Sequence, residues 1–164
     1  MKEQAYEINR IKKEEMHIVS EMLFDSEIGK KYYPSKAVLD GILADGYGKD
    51  LFYLIKTDEG AVGFIWFQQS GAFYMYPYLH MVFVKEEYRK SGYGRKLLQF
   101  FEEYSLNDGE KKKIKNKVFL LVGNWNQGAM AFYKRLGYTE VGVLPGLFRK
   151  RIDEHLFMKE CIGV

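Results

Sequence analysis

Five consecutive apolar residues, Val118-Phe119-Leu120-Leu121-Val122, stand between Lys117 and Gly123. A strand with one wet face alternates apolar and polar side chains, whereas an unbroken apolar run needs cover on both faces. Five residues is strand length and short for a helix. The run therefore demands an inner strand of a sheet layered with helices.

The rest of the chain supplies that setting. "AYEINRIK" alternates weakly as a first strand. Met16, Val19, Met22 and Leu23 share one face at helical spacing. Ser35 is placed to cap a second short helix carrying Val38, Leu39, Ile42 and Leu43. "DLFYLIKT" and "GAVGFIWFQQ" read as a hairpin around Asp58-Glu59-Gly60, "SGAF" as a further turn, and "YLHMVFV" as the next strand. Leu97, Leu98, Phe101 and Tyr104 form a helical stripe, ended by "NDGEKKKIKNK". After the apolar run, a helix from about Asn126 to Leu136 stops at Gly137, and "YTEVGVL" and "EHLFMKE" close the sheet. The expectation is an α/β (α+β) fold, with a central mixed, mostly antiparallel sheet of about seven strands flanked by about four helices.

No repeat, low-complexity tract or Pro/Ser-rich linker divides the 164 residues, so one domain over 1–164 is expected. The 25 basic and 22 acidic side chains leave a charge of +3, too mild for a dedicated nucleic-acid binder. The single cysteine, Cys161, cannot form an intrachain disulfide. "MKEQAYEINRIKKEE" has no apolar core of a leader, and no stretch nears the ~20 apolar residues of a membrane span. A cytoplasmic protein without a membrane partner, monomer or homodimer, is expected.

"VFVKEEYRKSGYGRKLL" runs from strand alternation through Arg89, Lys90, Ser91, Gly92, Tyr93, Gly94, Arg95 and Lys96 into an amphipathic helix. A helix N-terminus presents unpaired amides and partial positive charge, and glycines let a phosphate approach the backbone. A phosphate-bearing ligand follows. Gly94-Arg95-Lys96-Leu97 is not the Gly-Lys-Ser/Thr of a P-loop, and the third glycine of a dinucleotide fingerprint is missing. A plain glycine turn with solvated charges is the alternative.

In "LVGNWNQGAMAFYKRLGY", Asn126 and Tyr133 are seven residues apart, close to two helical turns. They share a face about 10 Å long, kept shallow by Ala129. A slim extended ligand could lie there, between an amide and a phenol.

These two constellations together resemble the GNAT acetyltransferase superfamily. Arg89-Lys90-Ser91-Gly92-Tyr93-Gly94 is similar to its Q/R-x-x-G-x-G/A pyrophosphate loop, and Asn126, Ala129, Phe132-Tyr133 and Gly137-Tyr138 to its second signature. The resemblance covers nearly the whole chain. It implies an acetyl-CoA-dependent N-acetyltransferase needing no metal, with acetyl-CoA as cosubstrate lying between two splayed strands, here "YLHMVFV" and "VFLLV". The backbones of Val82 and Val84 would bond the pantetheine arm as an added strand does. Residues 89–94, followed by Arg95, would hold the pyrophosphate, and an N–H near Phe83 or Val84 would polarise the thioester carbonyl. Tyr133 would protonate the departing thiolate, an acid with an unperturbed pKa near 10.

For the base that deprotonates the amine, His80 on the acceptor-side strand is the candidate, against a strand histidine hydrogen-bonded in the sheet or an unassisted route. Tyr32, Tyr33 and Phe148 could wall an acceptor pocket, and Asp25, Glu27, Asp153 or Glu154 could attract a cationic amine. The acceptor is expected to be a small-molecule amine or a peptide or protein amine. A non-catalytic acyl-CoA-binding regulatory module of the same fold is the alternative. The aromatics of "FYMYPYLH" suit core packing or an acceptor pocket better than base stacking, and the lysines of "KKKIKNK" suit a solvated loop or a contact to the coenzyme's 3′-phosphate.

Overall fold

The computed structural model describes residues 4–107 and 116–161, so most of the lysine-rich run 111–117 lies outside the described residues. Seven strands are present: β1 Glu7–Arg10, β2 Leu51–Thr57, β3 Gly60–Ala72, β4 Tyr76–Val84, β5 Lys117–Gly123, β6 Thr139–Arg149 and β7 Ile152–Glu160. They form one sheet in the order β1-β2-β3-β4-β5-β7-β6. β4 and β5 pair in parallel, while β1–β2, β2–β3, β5–β7 and β6–β7 are antiparallel, which gives the mixed sheet expected. The described helices are α1 Met16–Phe24, α2 Glu27–Tyr32, α3 Lys36–Gly46, α4 Tyr93–Leu106 and α5 Gln127–Arg135, five where about four were expected. The addition is the six-residue α2, capped by Ser26. The chain forms two compact units, Met1–Phe67 with Met81–Leu98, and Gln68–His80 with Gln99–Val164.

In the first unit, Val19 and Leu23 of α1 and Leu39 and Leu43 of α3 bury against Phe52 and Leu54 of β2, Phe64 and Trp66 of β3, and Phe83 of β4. Each such side chain stabilises by roughly 1.5–3 kcal/mol when fully buried. Ser35 accepts from the Val38 amide and starts α3 as its sequence predicts. The buried stripe of α3 is narrower than the spacing suggests, because Val38 and Ile42 remain exposed. At Gly63 an added Cβ would sit 2.3 Å from the Phe83 carbonyl oxygen, so β3 and β4 meet there only through glycine.

In the second unit, β5 pairs with β7 from Lys117↔Glu160 to Gly123↔Glu154. Val118, Phe119, Leu120 and Val122 are buried, as the apolar run requires. The expected turn at "SGAF" is shifted: β3 continues through Ser70 and Gly71 to Ala72, and Phe73 and Tyr74 make the turn with φ of 56° and 58°. The Phe73 ring meets Phe119 edge-on at 5.4 Å, a distant contact that local turn chemistry does not signal. Tyr74 is 99% exposed, so for this residue of "FYMYPYLH" the core-packing expectation fails.

Candidate active site

The loop from Arg89 to Gly94 lies in the first unit, between the end of β4 and the start of α4. Lys90 and Gly92 both take positive φ, 62° and 88°. Nothing comes within 4 Å of a Cβ built on Gly92, so the loop has room over its glycine. The first bond of α4 runs from the Lys96 amide to the Gly92 carbonyl at 3.1 Å. The amides of Tyr93, Gly94 and Arg95 precede it and are the orphan donors of a helix N-terminus. Room and donors together fit a phosphate. Arg95 is exposed; Tyr93 is buried, 5% exposed, and its ring anchors the turn.

Arg89 is exposed and also braces the strand before the loop. Its Nε donates to the Val84 carbonyl at 2.9 Å, and its guanidinium lies 5.8 Å from the centre of the Phe83 ring. The Val84 carbonyl is therefore engaged by the chain's own side chain. On the other edge of the strand, the Lys85 amide donates to Val62 at 2.9 Å. By alternation, Val82 and Val84 direct their backbone groups away from β3. Phe83, 6% exposed, stacks on Phe64 at 5.6 Å and is committed to the core. The ladder between β4 and β5 contains two residue pairs, Tyr78↔Phe119 and Leu79↔Leu120, while β4 runs on to Val84 and β5 to Gly123.

The helix tyrosine belongs to the second unit. Asn126 stands just outside α5 with φ −98° and ψ 68°, and its side-chain oxygen accepts from the Ala129 amide at 3.1 Å. It is the N-cap of α5, so one end of its amide is spent on the helix. Gly137 ends the element with φ 91°, as expected. Tyr133 is 8% exposed and packed among Phe132, Tyr138 and Phe157, with ring centres 5.5, 5.7 and 6.5 Å away. Burial pushes its phenol well above the ordinary value, and the nearby Tyr78 phenol pushes it further. Tyr133 therefore stays protonated throughout neutral pH.

His80 shares a face of β4 with Tyr78, ring centres 5.8 Å apart. Tyr78 was not singled out by its sequence; its alternation with His80 is the signal that could have found it. Tyr33 packs against the core of the first unit and burial lifts its phenol to about 12, so much of its side chain is committed to that packing. Tyr32 ends α2. Phe148, in the second unit, is 52% exposed within an irregular stretch of β6 where the register with β7 shifts between Leu144 and Arg149. Asp153 supports that stretch by accepting from the Gly146 amide at 3.2 Å. Cys161 is buried with its thiol pushed up to about 11, which leaves it a poor nucleophile. Among the described residues no helix is long and apolar enough to cross a membrane, and no group of three or more His, Cys, Asp or Glu is placed to hold a metal.

Residues 16–138 match the model of the acetyltransferase (GNAT) family. The chain is 30% identical over 137 residues to a thialysine N-epsilon-acetyltransferase of Bos taurus, covering 76% of this chain and 77% of that protein. It is 41% identical over 76 residues to an uncharacterized N-acetyltransferase of Methanocaldococcus jannaschii; that match covers 45% of this chain but spans only 31% of the relative's length. Among solved structures, a ribosomal-protein alanine N-acetyltransferase from Escherichia coli superposes with a TM-score of 0.75 at 16% identity, over 98% of this chain and 97% of that one. A spermidine N-acetyltransferase from Vibrio cholerae, in complex with CoA and spermine, gives 0.71 at 14% identity, over 94% and 95%. At these identities the two structures establish a shared fold.

Proposed function

Because the chain belongs to the acetyltransferase (GNAT) family, we propose that it moves an acetyl group from acetyl-CoA to a primary amine by direct attack, with Tyr133 as the acid. It is an acetyl-CoA-dependent acyltransferase. The thioester supplies the activated acetyl group. The residues around it bind, orient and move protons.

Gly92 and the amides of Tyr93, Gly94 and Arg95 receive the pyrophosphate, with Lys90, Ser91 and Arg95 around them. Arg89 holds the end of β4 through the Val84 carbonyl. Val82 and the Val84 amide offer the pantetheine arm a strand edge, and of the two N–H groups considered for the thioester carbonyl it is that of Val84 that polarises it, because Phe83 turns its backbone towards β3. As the amine nitrogen bonds to the acetyl carbon, the carbon–sulfur bond breaks. Tyr133 gives its phenolic proton to the sulfur and recovers one from the attacking nitrogen by way of solvent. His80, or water, takes the proton that makes the amine a nucleophile. Asn126 and Ala129 set the start of the helix that carries the acid. The acceptor is a small-molecule amine or a peptide or protein amine, with Tyr32, Tyr33 and Phe148 as candidate contacts.

The observation that carries this reading is the open, left-handed Gly92 at the start of α4, followed in the chain by Tyr133 on α5, within residues 16–138 that match the family's model. Tyr133→Phe keeps the ring and removes the proton, and a positioned general acid contributes about 10²–10⁴-fold. Steady-state kinetics on a panel of amines, with a coenzyme A titration alongside, should show kcat falling by that order while coenzyme A affinity holds. A variant within about threefold of the parent in kcat, with chemistry limiting, would remove Tyr133 as the acid.

A further inference from the structure

Tyr88, just before the 89–94 loop, and Tyr93, within it, bracket Lys90 and Gly92 and are hydrogen-bonded into one two-residue turn. Tyr88, immediately before the loop, donates its hydroxyl to Glu59 at 2.7 Å. Tyr93, which begins α4, has its hydroxyl 3.2 Å from the Gln4 side-chain oxygen, and the Gln4 amide nitrogen donates to Asp58 at 2.5 Å. Asp58 and Glu59 are the adjacent residues of the β2–β3 turn, which Gly60 closes at φ 105° and Thr57 braces by accepting from the Glu59 amide. The Tyr88 and Tyr93 rings meet edge to face at 6.4 Å. All of these residues lie in the first unit.

We propose that Gln4, Glu59 and Tyr88 are positioning residues that preset the anion-binding loop for coenzyme A; the inference rests on the reading of residues 89–94 as the pyrophosphate loop. A loop with the side-chain-bearing Lys90 left-handed beside the freely rotating Gly92 does not hold itself. It keeps that shape only where its surroundings fix both ends, and the turn at 58–59 does so. The turn itself is no phosphate ligand, since two carboxylates repel an anion. Their oxygens accept from a neutral phenol and a neutral amide, so they contribute geometry without a competing cation. Ordering the loop before binding spares the ligand that cost, so loss of a tether should weaken affinity and leave the chemical step alone.

The test uses the full chain and coenzyme A itself. Tyr88→Phe, Glu59→Ala and Gln4→Ala should each weaken coenzyme A binding by about three- to tenfold, as expected for one lost hydrogen bond. KM for acetyl-CoA should rise with kcat and the amine KM unchanged. Glu59→Gln keeps an acceptor oxygen and should stay close to the parent. Tyr88→Phe combined with Glu59→Ala breaks a single bond and should be no worse than either change alone, whereas adding Gln4→Ala should weaken binding further. Gly92→Val serves as the reference for the loop. If Gly92→Val weakens binding and the tether variants do not, or if they lower kcat instead, the positioning role is wrong and the loop assignment stands. If Gly92→Val also leaves affinity unchanged in a folded protein, the loop assignment falls and the positioning role with it.

Discussion

The Lys159 ammonium lies between the two carboxylate oxygens of Glu102, 2.9 Å from one and 3.1 Å from the other. The Tyr138 hydroxyl donates to the same carboxylate at 2.9 Å, and the Lys159 ammonium also sits 5.6 Å from the Tyr138 ring centre. One acid on α4 thus ties that helix to β7 and to the residue that precedes β6. Glu102→Ala leaves an ammonium and a phenol without their partner in a largely covered place. The expected loss is about 2 kcal/mol, below the cost of breaking a fully buried pair because Lys159 keeps some contact with water. Urea unfolding at neutral pH measures it, and Glu102→Gln, which retains an acceptor for Tyr138, should lose less.

Asn126 makes a cap that short polar side chains can replace. Asn126→Ala should cost about 1 kcal/mol through the lost bond to the Ala129 amide, and Asn126→Ser should restore most of it. Thermal unfolding separates the two. A coenzyme A titration on the Ser variant then reports any ligand contact of the amide on its own, with the helix start intact.

Alkaline pH should destabilise the fold in a defined window. The Cys161 thiol rises from an ordinary 9.0 to about 11, chiefly by burial and then by the Glu102 carboxylate. Burial raises the Tyr33 phenol from 10.0 to about 12. In each case the unfolded chain gives up its proton first, so unfolding releases protons and stability falls as pH rises. The contribution is whole below pH 9 for the thiol and below pH 10 for the phenol, and is lost towards 11 and 12. Urea midpoints at pH 8 and pH 10.5 should therefore fall less steeply in Cys161→Ala than in the parent.

Lys90 is a lysine held at φ 62°, where glycine is at ease. Lys90→Gly should raise stability by about 0.5–1 kcal/mol, the relief of a left-handed side chain less the added freedom of the unfolded chain. The same change removes a cation from the loop and should weaken coenzyme A. Opposite signs in thermal unfolding and in calorimetry would separate the two effects, and parallel losses would contradict the strain.

What the sequence made legible followed periodicity and capping. The strand of the apolar run 118–122, the Ser35 cap and the Gly137 stop each depend on residues within one turn or strand, and each is where it was expected. What it concealed depends on distant partners. The six residues of α2 contain Gly29, whose glycine is required because a Cβ would sit 2.0 Å from the Leu23 carbonyl oxygen; inside the segment it looks only like a breaker. The turn at Phe73–Tyr74 rests on Phe119, and the Tyr93 contact to Gln4 joins residues 89 apart. The helical spacing of Asn126 and Tyr133 was legible, but not that Asn126 would leave the helix to cap it.

The strand order has a consequence for synthesis. β5 has only two ladder pairs with β4, and its long partner, β7, is encoded some 30 residues downstream with β6 between them. As the chain emerges, five apolar residues with two nearly open edges must wait for the β6–β7 hairpin to form and return. That interval is when this protein is most exposed to aggregation and to chaperone capture. A chain truncated after α5 and released should be bound by a holdase, and the 164-residue chain should not be.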